Sequence, residues 1–106
     1  MQLTMADALP IVAALRKAGY APQVVGSVAD KGISNNDIDI VLPVILGRDN
    51  SHTIKRGMIL RDGAALLAYY QTMQSLGFAL AVAPPFAAID TWCKSEVRVD
   101  IWFQEA

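Results

Sequence analysis

The residues able to do chemistry here are three aspartates. Asp37 and Asp39 stand in the run Asp37-Ile38-Asp39-Ile40-Val41-Leu42, and Asp100 stands in Glu96-Val97-Arg98-Val99-Asp100-Ile101-Trp102-Phe103. Both runs alternate polar and apolar residues, the pattern of a half-buried strand. Strand side chains alternate faces, so Asp37 and Asp39 project together while Ile38 and Ile40 enter the core. On the second strand Val97, Val99, Ile101 and Phe103 form the core face, and Asp100 shares the other face with Arg98 and Trp102. Two carboxylates about 7 Å apart along one strand repel each other, and folding has no use for them. If the two strands lie side by side, the carboxylates converge on one exposed patch of sheet. Such an oxygen-rich patch suits Mg²⁺, which keeps several waters and binds through a few carboxylates plus substrate phosphates.

Gly26-Ser27 follows the β-branched pair Val24-Val25 and precedes the first acidic strand. A glycine lets the backbone approach a phosphate closely, and a serine adds a hydroxyl donor. Two metal ions roughly 4 Å apart on shared carboxylates can polarise an attacking hydroxyl and neutralise a leaving pyrophosphate. That chemistry requires no histidine base, and the single histidine, His52, stands in a long connection where a solvated role is expected.

The elements that must position these groups follow from pattern and punctuation. A helix is expected over 4–18, capped by Thr4 or Asp7, with Pro10 in its first turns and Gly19 ending it. Its apolar stripe reads as Leu9, Val12, Ala13 and Leu15. Val24-Val25 form a short strand running into a Gly26-Ser27 turn, and the acidic strand covers about 37–42, bounded by Pro43. Residues 47–62 read as a structureless connection in which Arg48, Lys55, Arg56 and Arg61 face only Asp49 and Asp62. Such a loop is usually functional or disordered, and this one could fold over a triphosphate, with Gly47 and Gly57 as hinges. A second helix is expected over 63–76, with Ala65, Leu66, Tyr69, Met73 and Leu76 on one face. Strands follow at 78–82, 86–92 and 96–103, the last two joined as a hairpin by Cys93-Lys94-Ser95. The outline α-β-β-α-β-β-β describes a two-layer α+β domain. A mixed β-sheet carries helices packed on one face and the acidic site on the other.

Composition bounds the rest. A chain of 106 residues has room for one core, so residues 1–106 form a single domain. A hydrophobic share of 54% and a mean hydropathy of +0.34 imply a well-filled core or an apolar surface that meets a partner. A net charge of −1 and a pI of about 5.6 exclude a global basic field for gripping long nucleic acid. The lone cysteine, Cys93, permits no internal disulfide and agrees with a reducing compartment. With no basic leader and no apolar run of membrane-spanning length, the expected location is cytoplasmic and off the membrane.

Taken together, these residues resemble the DNA polymerase beta-like nucleotidyltransferase superfamily. Its mark is a hydrophobic residue with Gly-Ser, a loop of some ten residues, Asp-x-Asp in an apolar strand, and a third carboxylate on a later strand. Val25-Gly26-Ser27, Asp37-Ile38-Asp39-Ile40 and Val99-Asp100-Ile101 fit each element, and Arg98-Val99-Asp100-Ile101 is similar to the third-aspartate strand of the family X polymerases. The resemblance covers about residues 4–103 and only the palm-like core.

It implies transfer of a nucleoside monophosphate from an NTP such as ATP to a hydroxyl on a protein, an RNA end or a small molecule. Asp37 and Asp39 would bridge two Mg²⁺ (or Mn²⁺), and Asp100 would ligate the catalytic ion and help activate the acceptor. Gly26 and Ser27 would hold the β- and γ-phosphates, with Lys31, Lys55 and Arg56 supplying positive charge. Members commonly carry an arginine and then a glycine shortly after Gly-Ser, where this chain has Ala29-Asp30-Lys31-Gly32. Nor is the usual helical module expected after Phe103, so base and acceptor would be held by a homo-oligomer, by a partner protein, or not at all. The alternative is a non-catalytic nucleotide-binding or assembly module, or an antitoxin-like partner protein, that kept the fold. A template-dependent polymerase is a poor fit, since fingers, thumb and a basic groove have no place in the chain.

Overall fold

A computed structural model of the chain describes residues 2–44, 54–55, 58–59, 66–82 and 89–105. Strand β1 (Leu3–Thr4) runs directly into helix α1 (Met5–Lys17), where the Asp7 carboxylate accepts the Thr4 backbone N–H at 2.8 Å and secures the first turn. Strand β2 (Gln23–Val25) passes without a loop into the short helix α2 (Gly26–Lys31), closed by Gly32 in the left-handed conformation at φ 76°. Then come β3 (Ile33–Ser34), β4 (Ile38–Val44), β5 (Ile54–Lys55), β6 (Met58–Ile59), α3 (Leu67–Ser75), β7 (Ala79–Val82), β8 (Ile89–Lys94) and β9 (Val97–Glu105).

Five strands form one mixed sheet in the order β2-β4-β9-β8-β7. Only β4 and β9 run parallel, and the segment between them carries α3, as a parallel pair requires a crossover. The core lies on one face of this sheet. Ile38, Ile40 and Leu42 of β4, Trp92 of β8, and Val99, Ile101 and Phe103 of β9 pack with Ala8, Ile11, Val12 and Leu15 of α1 and with Tyr69 and Met73 of α3. Each large side chain so buried is worth about 1.5–3 kcal/mol of transfer energy, which fixes which face of each strand turns inward. The intervening residues Asp39, Thr91 and Asp100 are thereby sent to the opposite face. The two-layer α+β architecture with a mixed sheet is as expected, and among the described residues no helix is long and apolar enough to cross a membrane.

Several local expectations need correction. Leu9 is exposed and so is Ala13, because Ala8, Ile11, Val12 and Leu15 make the unbroken helical face that the sheet covers. Gly26 and Ser27 open α2 rather than forming a free turn. Strand β4 continues through Pro43 to Val44; the pairing with β2 reaches only Val41, so a residue lacking an N–H is tolerated beyond it. The β8–β9 hairpin turns at Ser95-Glu96, with Ser95 at φ 53°, leaving Cys93 and Lys94 in the strand. Residues 47–62 are not structureless throughout, since β5 and β6 pair antiparallel within them. The rest of that segment, including Gly47, Arg48, His52, Arg56, Gly57 and Arg61, lies outside the described residues, as do 83–88 at the expected start of β8 and 61–65 ahead of α3.

Candidate metal centre

The site is built from strand register. Asp39 of β4 and Asp100 of β9 are direct partners in the parallel ladder, so their carboxylates stand side by side on the open face. Asp37 precedes β4, on a turn held by the Ser34 hydroxyl, which accepts the backbone N–H of Asn36 at 3.2 Å and of Asp37 at 3.3 Å. One ligand oxygen from each of the three acids can be chosen so that all lie within 4.8 Å of one another. Strand β2 ends beside them, with Val25 opposite Asp39. Gly26 follows at φ 70°, and a Cβ built on it would meet Asp39 Oδ2 at 2.7 Å. Only glycine gives both the left-handed backbone and the room for that carboxylate.

Donors are fewer than acceptors here. Thr91 of β8 donates to Asp100 Oδ1 at 2.8 Å, and Arg98 donates through Nε to Oδ1 and through Nη2 to Oδ2, both at 3.3 Å. Asp39 Oδ1 accepts the Trp102 indole N–H at 3.2 Å. The Asp37 carboxyl is pushed up to about 6, first because its protonated form hydrogen-bonds Asp100, then by burial and by the charges of Asp39 and Asp100. Burial would raise Asp100 as well, but hydrogen bonds from Asp37, Thr91 and Arg98 outweigh it and hold that group below the usual carboxylate range. The same carboxylate holds the Arg98 guanidinium more firmly protonated than usual.

This donor set fits a hard divalent cation. Oxygens that share a Mg²⁺ at 2.0–2.1 Å sit roughly 3 Å apart, a spacing that small side-chain rotations reach from 4.8 Å. Crowded carboxylates that would otherwise keep a proton are what a cation relieves.

The other expected site residues fall into two groups. Ser27 and Lys31 share a polar cleft of about 360 Å³ with Gln2, Ile33, Ser34, Asn35 and Asn36. Its rim adjoins the acids along the chain, through Gly26 on one side and Asn36 on the other. Lys55 lies on β5, in a two-stranded sheet separate from the main one, and Arg56 lies outside the described residues. Sequence reasoning missed Thr91 altogether, because its role depends on the β8–β9 register. It put Arg98 and Trp102 on the right face without identifying the carboxylates they bond. For the first of these the i, i+2 spacing from Arg98 to Asp100 was a usable signal.

Comparison of the chain with family models, with curated proteins and with solved structures gives no match.

Proposed function

We propose that this chain is a minimal metal-dependent nucleotidyltransferase, built like the catalytic core of the DNA polymerase beta-like superfamily. The supporting observation is the register that pairs Asp39 with Asp100 across parallel strands, with Asp37 alongside and Gly26 abutting Asp39. Asp37 and Asp39 would hold two Mg²⁺, or Mn²⁺, between them, and Asp100 would serve the ion on the acceptor side. When bound, such ions polarise a hydroxyl and neutralise phosphate charge.

The chain's own residues do the remaining work. Gly26 brings the backbone close to the acids, while Ser27 and Lys31 receive the outer phosphates of the NTP in the adjoining cleft. The acceptor oxygen forms a bond to the α-phosphorus as the bond to the bridging oxygen breaks. Pyrophosphate leaves with that electron pair, and the hydroxyl proton passes to a carboxylate of the triad. The acceptor class is the one the resemblance implies: a hydroxyl on a protein, an RNA end or a small molecule. A homo-oligomer or a partner protein that holds base and acceptor is part of this reading through the resemblance alone.

One observation favours the non-catalytic alternative. Asp39 and Asp100 already accept hydrogen bonds from Trp102, Thr91 and Arg98, so the cluster has internal partners that a nucleotide-binding or assembly module could keep without turnover. Titration with Mn²⁺, then with ATP in its presence, separates the readings when combined with pyrophosphate release over a panel of acceptors. Asp39→Asn is expected to weaken Mn²⁺ binding at least tenfold and abolish transfer, while leaving the fold equally or more stable because like-charge crowding is relieved. Unchanged Mn²⁺ affinity, or an unfolded variant, would show that the acids are structural.

A further inference from the structure

Among the donors to the acidic cluster, Thr91 makes the shortest hydrogen bond, its hydroxyl lying 2.8 Å from Asp100 Oδ1. Arg98 Nε reaches the same oxygen at 3.3 Å and its Nη2 reaches Oδ2 at 3.3 Å, so the guanidinium spans the carboxylate while the hydroxyl sets the position of Oδ1. Thr91 owes its place to register: it is the β8 partner of Asp100, on the open face. The residues on either side of Thr91 turn to the other face. Asp90 and Trp92, the neighbours of Thr91, point into the core and are fully buried. A single phenol holds both, the Tyr69 hydroxyl donating to Asp90 Oδ2 at 2.7 Å and accepting the Trp92 indole N–H at 2.6 Å. On the far side of β8 the pairing with β7 shifts between Leu80 and Val82, where Val82 stands opposite Thr91. Irregularities of this kind let a strand re-aim a side chain.

We propose that Thr91 is a positioning residue, holding the Asp100 carboxylate toward Asp37 and Asp39, and that Tyr69 fixes the strand carrying it by clamping Asp90 and Trp92 from the opposite face. This rests on the metal-site reading above. Groups that orient a metal-binding carboxylate typically change metal affinity by about 10–100-fold when removed. Thr91→Val keeps the β-branched shape suited to a strand and removes only the donor.

The test is Mn²⁺ binding to the full chain, read as free Mn²⁺ by electron paramagnetic resonance, with circular dichroism confirming that each variant is folded. Thr91→Val is expected to weaken binding about tenfold, and Thr91→Ser to restore it. In an Asp100→Asn background, Thr91→Val should change nothing further, since the carboxylate it positions is gone. If Thr91→Val binds like the wild type while Asp39→Asn has lost binding, the metal site stands and the role of Thr91 is overturned. Equal weakening in Thr91→Ser and Thr91→Val would also overturn it, because the hydroxyl would not be the cause. A wild type that binds no Mn²⁺, indistinguishable from Asp39→Asn, would remove both the site and the proposal.

Discussion

On the helix side of the sheet one carboxylate, Asp90, lies fully buried with the Tyr69 hydroxyl 2.7 Å away, and the Trp92 indole donates to that same phenol. On the open side, one strand over, the Trp102 indole donates to Asp39, within a cluster of three carboxylates. Both faces thus set an indole N–H into a network that contains an acid, yet the proportions differ. In the core, a phenol and an indole attend a single acid, and burial makes every such bond valuable because an orphaned group there has no water to turn to. On the open face, among the described residues, three carboxylates, of which Asp100 is itself buried, share one guanidinium, one hydroxyl and one indole. The Asp37 carboxyl is pushed up to about 6, first by its hydrogen bond to Asp100. The first arrangement serves the fold. The second gathers more carboxylate oxygens than donors among the described residues, which is the feature the proposed metal site rests on.

Breaking the core side is expected to have the largest effect. Tyr69→Phe removes a donor from buried Asp90 and an acceptor from the Trp92 indole, and should lower stability by about 2–3 kcal/mol in denaturant unfolding. A loss under about 0.5 kcal/mol would mean that water or other groups replace the phenol, and the contrast between the faces would weaken.

Glycine substitutions separate strain from site geometry. Gly26→Ala and Gly32→Ala both place a side chain in the left-handed region, at φ 70° and 76°, and each should cost about 1–2 kcal/mol. Only at Gly26 does the new Cβ collide with Asp39, since nothing lies within 4 Å of the one at Gly32. Gly26→Ala should therefore lose Mn²⁺ binding while Gly32→Ala keeps it. Equal behaviour of the two would detach Gly26 from the acids.

The smallest effect concerns the raised Asp37 carboxyl. Because the folded state raises Asp37 from 3.8 to about 6, the protonated form is the one that folding favours. Its contribution is fully present below the unfolded value and is lost as pH rises through about 6. In the presence of a chelator the wild type should lose stability between pH 4 and 7 through this group. Asp37→Asn should be more stable than wild type at pH 7 by about 1 kcal/mol, since solvent screens part of the repulsion. The gain should vanish toward pH 4, and thermal unfolding across that range checks it. A gain that persists at pH 4 would mean that charge is not its source.

Much of this organisation is legible in the chain. The alternation in 37–42 and 96–103 puts the acids on one face and the aliphatic residues on the other, because side chains on a strand have a period of two. The helix boundaries follow from Thr4, Asp7 and Gly19 in the same local way. The phase of α1 is not legible where Leu9 and Ala8 compete, since a helix has several apolar arcs and only its neighbours choose one. The start of α2 is not legible either, because Gly26-Ser27 is compatible with a turn or a first helical turn until the chain beyond it is placed.

The sequence by itself determined which residues can share a face, since φ, ψ and side-chain alternation are set within a few residues. Only the tertiary structure decided which strands are neighbours and in what register. The order β2-β4-β9-β8-β7 brings Asp39 beside Asp100, Thr91 onto Asp100 and the Trp102 indole onto Asp39. The pairings of Asp39 with Asp100 and Trp102 join segments far apart in the chain, and within the local β8–β9 hairpin the register that sets Thr91 on Asp100 is not encoded by alternation alone. They follow from burying one continuous apolar face under α1 and α3, and a slip of one residue in β9 would exchange its buried and open faces and carry Asp100 into the core.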